Sequence, residues 1–200
     1  MATYDKAQLV ELLYQMLETE LGGEQIYITA ISCAVNADLK KEWQDYLKET
    51  RHHQEVVLGL FAHFGLDPKA STPGREVVAH NGKSLVQAME LAKAKADKSG
   101  AQLVACECVL LAETKDHGNW ELLGRVAEKA TGADGKALKA AHEEVEEDED
   151  HHLYHNAGWC RELWIESLGM PAVLPPPEEK KNVETAIGAS RAEQARSEML

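Results

Sequence analysis

The sequence has few cysteines, and it lacks the long apolar runs of membrane-spanning proteins. It has four cysteines in 200 residues, and no two of them form a Cys-x-x-Cys pair. We therefore expect reduced thiols and a cytoplasmic protein. No apolar run approaches the roughly 20 residues that a membrane helix needs, and the N-terminus lacks the basic start and apolar run of a signal peptide. These absences argue against a disulfide scaffold and against a membrane partner.

Basic residues are also scarce, which limits the partners that the protein can bind. The chain has 21 Lys and Arg against 34 Asp and Glu, so its formal net charge at pH 7 is -13. Binding to a nucleic acid or to an anionic membrane needs a basic surface, because both partners are negatively charged. We therefore expect no nucleic-acid partner.

Aromatic residues and prolines are few, and the apolar residues recur at helical spacing. Aromatics make up 6% of the chain, and its six prolines lie mostly between apolar segments rather than within them. Apolar residues spaced three or four apart indicate amphipathic helices, so the sequence predicts an all-α protein. The long helices are predicted over about residues 6–35, 38–64, 101–130 and 136–167.

The connections between these helices predict their arrangement. A short turn follows Asn36, with Asp38 as the expected N-cap, so the first two helices should be antiparallel. The polar link 66–83 is long enough to run the length of a bundle, and the helical pattern that resumes at Ser84 is kinked or broken near Ser99-Gly100. We expect residues 1–170 to form a four-helix bundle of two antiparallel pairs joined by a long crossover. Residues 171–200 form a Pro-containing, charged C-terminal tail.

Two matching motifs lie on the second and fourth predicted helices. Glu49-Thr50-Arg51-His52 and Glu149-Asp150-His151-His152 are both Glu-x-x-His, one hundred positions apart. Residues three apart share one face of a helix, so each motif can direct a carboxylate and an imidazole to the same point. The other two helices each offer a carboxylate, Glu20 and Glu113, followed seven residues later by an aromatic. The chain therefore resembles an approximate duplication of a helical hairpin.

Four carboxylates and two imidazoles inside one bundle predict a site for two divalent metal ions. The six predicted ligands are Glu20, Glu49, His52, Glu113, Glu149 and His152. In this arrangement Glu49 and Glu149 bridge the ions, while Glu20 and Glu113 bind terminally. About four negative charges in a buried site require about four positive charges, which two divalent cations supply. Mixed carboxylate and imidazole ligands without cysteine favour two iron ions, with manganese as the alternative.

On these motifs the chain resembles the ferritin-like superfamily, which includes bacterioferritins, rubrerythrins and manganese catalases. The resemblance covers about residues 5–168 and rests on the order Glu, Glu-x-x-His, long crossover, Glu, Glu-x-x-His. It implies a ferroxidase, peroxidase or catalase type of oxidoreductase that reacts with dioxygen or hydrogen peroxide, and a homodimer or larger homo-oligomer. The resemblance implies catalytic roles for Glu49, Glu149 and Tyr27, the aromatic seven residues after Glu20. The absence of a Cys-x-x-Cys pair excludes the rubredoxin-type iron module of many rubrerythrins.

Several alternatives remain open from the sequence. Glu24, Glu107 and Glu146 compete with Glu20, Glu113 and Glu149 for the ligand positions, because neighbouring turns of each helix carry other carboxylates on similar faces. The remaining histidines expected at surfaces or helix caps are His53, His63, His117 and His151. The same fold also suits iron storage or carriage, or a metal-free structural or adaptor bundle.

Overall fold

The computed structural model describes residues 4–177, and within that range the protein is all-helical, with no β-strand. Five helices follow one another along the chain. They are α1 (Lys6–Cys33), α2 (Ala37–Phe64), α3 (Pro73–Lys95), α4 (Lys98–Ala127) and α5 (Gly132–Ser167). The predicted all-α class is thus confirmed. Of the predicted tail, residues 178–200 lie outside the described residues.

Side chains cap the first two helices and a glycine ends the second. The Asp5 carboxylate accepts hydrogen bonds from the backbone amides of the first turn of α1, and the Asn36 side chain does the same for α2. The N-cap of α2 is therefore Asn36 rather than the predicted Asp38, which lies in the first turn. Gly65 ends α2 as predicted, with φ of 65°, a left-handed conformation that glycine adopts without steric cost.

The connection between the two hairpins differs from the prediction. The polar link expected over residues 66–83 is helical from Pro73 onward, and this helix continues to Lys95. The Thr72 hydroxyl accepts a hydrogen bond from the Arg75 amide, and proline occupies the first turn, which favours helix initiation there. The break predicted near Ser99-Gly100 lies slightly earlier, because Asp97 caps the new helix α4 through the Gly100 amide.

The four long helices contact one another in a ring. α1 packs against α2 and α4, and α5 packs against α2 and α4, while α3 lies on α1 and α4. Hydrogen bonds between Gln102 and the α1–α2 turn, and between Asn119 and Thr19, show that α1 and α4 are antiparallel. The structure is a helical bundle whose interior is shared by α1, α2, α4 and α5.

The interior is divided along the helix axes into two apolar layers and a polar one between them. One apolar layer surrounds Trp43 and Trp159, and the other surrounds Phe61 and Leu138. Buried acidic and histidine residues lie between these layers in sequence on all four helices. No helix within residues 4–177 is long and apolar enough to cross a membrane.

Candidate metal centre

Six ionisable side chains from four helices form the polar layer, and we call them the inner cluster. They are Glu20 of α1, His53 of α2, Glu113 and Asp116 of α4, and Glu149 and His152 of α5. Each of these residues is at most 5% exposed. Burial of so many ionisable groups is costly unless each has a partner of opposite charge or a bound cation.

The two histidines direct their Nδ1 atoms toward the carboxylates. Nδ1 of His53 lies 2.9 Å from Glu149 Oε1 and 3.9 Å from Glu20 Oε1. Nδ1 of His152 lies 3.7 Å from Glu113 Oε2 and 4.0 Å from Glu149 Oε1. Glu149 is therefore the carboxylate that both imidazoles approach.

The opposite nitrogen of each imidazole contacts an acidic residue nearer the surface. Nε2 of His53 lies 3.3 Å from Asp148 Oδ2, and Nε2 of His152 lies 2.7 Å from Glu49 Oε2. A carboxylate at one ring nitrogen favours the proton on that nitrogen, which leaves the other nitrogen with a lone pair for a metal. Asp148 and Glu49 thus orient both rings in the same way, with Nδ1 as the inward donor.

Two aromatic residues interact with Glu20 and Glu113, each with the glutamate of the other hairpin. The Trp120 indole Nε1 donates a hydrogen bond of 3.0 Å to Glu20 Oε1. Tyr27 is fully buried, and its hydroxyl accepts a hydrogen bond of 3.4 Å from the Asn156 amide. Burial and the nearby Glu113 carboxylate raise the pKa of Tyr27, so it remains a neutral phenol. The aromatic that follows each glutamate by seven residues therefore interacts with the glutamate of the other hairpin.

The carboxylates of the inner cluster repel one another in the metal-free protein. Burial, followed by the charges on Asp116 and Glu149, raises the pKa of Glu20 well above its usual value. Burial and the neighbouring acids likewise raise the pKa of Asp116 and of Glu149. Within residues 4–177, no lysine or arginine is within ion-pair distance of these carboxylates.

Within residues 4–177, five buried atoms of the inner cluster have no hydrogen-bond partner. These buried atoms are Glu20 Oε2, Glu113 Oε2, Asp116 Oδ1, Glu149 Oε2 and His53 Nδ1. His53 Nδ1 is only 2.9 Å from Glu149 Oε1, but the two atoms lack hydrogen-bond geometry. Buried polar atoms without partners are rare in native proteins, and their concentration in one layer fits ligands that share a cation.

The donor atoms form two overlapping groups, each small enough to surround one ion. One group is His53, Glu149 and His152, and the other is Glu20, Asp116 and Glu149; in each, the atoms lie within 4.8 Å of one another. Glu149 belongs to both groups, so it could contribute a donor to each. Oxygen and imidazole nitrogen without thiolate suit iron, manganese or zinc.

The structure brings four of the six sequence-predicted ligands into the inner cluster and leaves two outside it. Glu20, Glu113, Glu149 and His152 lie together, as described above. The Glu49 side chain is 38% exposed and contacts the outer nitrogen of His152 rather than the carboxylates. The His52 side chain is 49% exposed and faces Glu144 at the surface. The predicted inward position of His52 is therefore corrected to its neighbour His53, which the sequence analysis had assigned to the surface.

The three rival carboxylates lie outside the inner cluster. Glu24 is paired with Arg51 at 2.9 Å, and its pKa is lowered because that pair and a hydrogen bond from Gln54 outweigh the effect of burial. Glu107 accepts a hydrogen bond from the Trp164 indole at the surface. Glu146 lies 3.5 Å from His142, one turn earlier on α5. Each rival thus has a surface partner of its own.

Two members of the inner cluster were missed in the sequence, and the spacing contains a signal for each. Asp116 follows Glu113 by three residues, so both share a face of α4. His53 was missed because the two Glu-x-x-His motifs were aligned on Glu49 and Glu149, which makes His52, not His53, the counterpart of His152. If Glu49 is matched to Asp148 instead, His53 becomes the counterpart of His152. Each of these histidines then contacts the matched acidic residue of the other hairpin.

The arrangement can hold two cations side by side, with carboxylate oxygens and two imidazole nitrogens as donors. The bound ions would remove the repulsion among the acids and satisfy the partnerless atoms. Comparison with known proteins identified no relative, since no family model, curated protein or solved structure matches this chain.

Proposed function

We propose that the inner cluster binds two divalent cations, two iron ions or alternatively two manganese ions, in a helical bundle of the ferritin-like type. We propose further that the loaded protein is an oxidoreductase of ferroxidase or peroxidase type. The observation that carries the proposal is the set of five partnerless donor atoms in one buried layer. Four ionised carboxylates carry about four negative charges, which two divalent cations neutralise.

The protein residues hold the ions in distinct ways under this proposal. Glu149, which belongs to both donor groups, would hold both ions. The Trp120 indole fixes one oxygen of Glu20 and leaves the other, Oε2, for an ion. Asp148 and Glu49 hold the protons on the outer nitrogens of the two histidines, so that both rings donate through Nδ1.

Two ferrous ions held in this layer would supply electrons to dioxygen or hydrogen peroxide. Three features of the chain favour such a reactive site over a purely structural one. The ligands are mostly hard oxygen donors rather than a closed set of thiolates. The surrounding apolar layers restrict water. The neutral phenol of Tyr27 lies beside the layer and can donate a proton or a hydrogen bond there.

The metal-binding part is tested by metal analysis of protein purified without chelator. We expect about two iron or manganese ions per chain, and a Glu149→Gln variant that has lost both. The matched control is Glu146→Gln, one turn earlier on the same helix, which should retain them. A wild-type protein that takes up no iron, manganese or other divalent ion on reconstitution would refute the proposal.

The redox part is tested separately on protein loaded anaerobically with ferrous iron. On mixing with dioxygen or hydrogen peroxide, the near-ultraviolet absorption of ferric carboxylate should develop faster than with the same iron in buffer or with the Glu149→Gln variant. Full ferrous loading without faster oxidation would reject the oxidoreductase function and leave metal binding in place.

A further inference from the structure

A second group of donors lies between α2 and α5, outside the inner cluster. Glu42, His151 and His155 offer three ligand atoms within 4.8 Å of one another, and we call them the outer cluster. His151 and His155 are four residues apart on α5, a spacing that places two imidazoles on one helix face for the same ion. Their ring centroids are 5.1 Å apart.

The third donor is supplied across the helix interface. Oε1 of Glu42 lies 3.0 Å from Nε2 of His155. Once an ion displaces the proton between these two donors, each can lie about 2.1 Å from the ion, the usual distance for imidazole nitrogen and carboxylate oxygen. His155 is buried, while Glu42 and His151 are partly exposed, so an ion could reach this group from solvent.

Neighbouring aromatic residues hold the Glu42 carboxylate in place. The Tyr46 hydroxyl donates a hydrogen bond of 2.6 Å to Oε1, and the Trp159 indole donates one of 2.8 Å to Oε2. Although burial favours the neutral acid, hydrogen bonds from His155, Tyr46 and Trp159 lower the pKa of Glu42, so it is an anion at neutral pH. A fixed anion beside two imidazoles is a pre-organised cation site.

Packing alone does not account for these polar residues. When the hairpins α1–α2 and α4–α5 are aligned so that His53 matches His152, each α2 residue has a counterpart in α5. The counterpart of Glu42 is then Ala141, and that of His155 is Val56. Small apolar residues therefore fill the equivalent positions elsewhere in the bundle. His155 also retains a buried Nδ1 without a hydrogen-bond partner. Two of the three donors, Glu42 and His155, therefore have no polar counterpart, whereas His151 corresponds to His52.

We propose that Glu42, His151 and His155 bind a third divalent transition-metal ion, at a site separate from the inner cluster. Two imidazoles and one carboxylate match the donor set of zinc. Tyr46 connects the two sites, because its hydroxyl contacts Glu42 and its ring lies 4.3 Å from the ring of His152. This proposal does not depend on the oxidoreductase function.

The test uses Zn²⁺ as the probe, with the full chain and a Glu149→Gln background in which binding at the inner cluster is disabled. Isothermal titration should show about one Zn²⁺ bound per chain in Glu149→Gln, and its loss in Glu149→Gln combined with His151→Gln. His151 is partly exposed, so this substitution should preserve the fold, which circular dichroism verifies. The control is His63→Gln in the same background, because His63 pairs with Asp134 at the surface at 3.0 Å without a third donor.

The expected outcome is that only the His151 substitution removes the ion, and that Co²⁺ in place of Zn²⁺ shows a visible spectrum that is lost in the same variant. Retention of the ion after His151→Gln, or a Glu149→Gln protein that binds none, would overturn the third site. Neither result would contradict the proposal for the inner cluster. That proposal is tested separately, by whether wild-type protein binds two more ions than Glu149→Gln does.

Discussion

The α1–α2 and α4–α5 hairpins contribute unequal shares to the inner cluster. The first supplies one carboxylate and one histidine, and the second supplies three carboxylates and one histidine. The positions that correspond to Asp116 and Glu149 are Gly23 and Thr50, which lie against each other. A Cβ atom added at Gly23 would lie 3.4 Å from Thr50 Cγ2. One side of the polar layer is therefore closed by packing, and the other is lined with acids.

Two similar hairpins therefore contribute unequally to one site. The α1–α2 side can approach closely because Gly23 has no side chain, whereas the α4–α5 side must place Asp116 and Glu149 near each other in the core. That placement is favourable only when a cation lies between them. We expect the α4–α5 hairpin to be responsible for most of the metal affinity, and also for most of the instability of the metal-free protein.

The largest effect on metal binding is expected from the equivalent positions Glu149 and Thr50, of which only the first is acidic. Glu149→Gln should remove both ions, a loss greater than the roughly 10- to 100-fold weakening that follows loss of an outer hydrogen-bond partner. Thr50→Ala, at the equivalent position in α2, should keep both. Metal content after gel filtration measures the two variants. Equal metal content in both would show that the acid-rich side has no special role.

A second experiment tests which α2 histidine is equivalent to His152. His53→Gln should weaken mainly one ion, because His53 belongs to only one of the two donor groups. His52→Gln should leave metal binding unchanged, since its side chain contacts Glu144 at the surface. Metal titration of the two variants under identical conditions is the measurement. If His52→Gln weakens binding more than His53→Gln, the correspondence with His152 is wrong.

A third experiment tests a feature that the two hairpins share, the acidic residue beside the outer nitrogen of each inner-cluster histidine. Glu49→Gln and Asp148→Asn each remove the carboxylate beside the outer nitrogen of a histidine, so each should lower metal affinity by about 10- to 100-fold without abolishing binding. The two losses should be similar, because the contacts are equivalent. Competition against a coloured chelator measures both affinities. Complete loss of both ions in Glu49→Gln would instead indicate that Glu49 is a bridging ligand.

The smallest expected effect concerns the stability of the metal-free protein. Glu20, Asp116 and Glu149 have raised pKa values, so the folded state binds more protons than the unfolded state above about pH 4. Stability contributed by these protons is present at low pH and is lost as pH rises toward neutrality. Asp116→Asn removes one of the charges that raise the pKa of Glu20. Each unit by which that pKa falls adds about 1.4 kcal/mol to the free energy of unfolding at neutral pH.

We therefore expect metal-free Asp116→Asn to melt at least a few degrees above metal-free wild type at pH 7, given about 2–4 °C for each kcal/mol in a protein of this size. The two melting temperatures should converge near pH 4, where the acids are protonated. Thermal melts from pH 4 to 7 measure this, with Glu146→Asn as the surface control. A lower melting temperature for Asp116→Asn at pH 7 would contradict the repulsion.

Much of the fold could be predicted from local signals in the chain. The Asp5 cap, the Asn36 turn and Gly65 act on residues a few positions away, so their effects on helix ends can be read from the sequence. The first half of α3, residues 73–83, was missed because its start depends on the Thr72 cap and these residues were interpreted as part of a polar link. Its packing on α1 and α4 stabilises a segment whose own apolar pattern is weak.

The spacing that repeats in the two hairpins predicted that Glu20, Glu113, Glu149 and His152 share a layer, and it left Glu24, Glu107 and Glu146 as rivals. The same spacing selected His52 and assigned His53 to the surface, although the two side chains point about 100° apart on α2 and only packing decides which of them faces the inner cluster. The tertiary structure alone decided that choice, the outer position of Glu49 and the inclusion of Asp116. The physical reason is that the rotation of each helix about its axis is determined by packing against its neighbours, which local spacing does not encode.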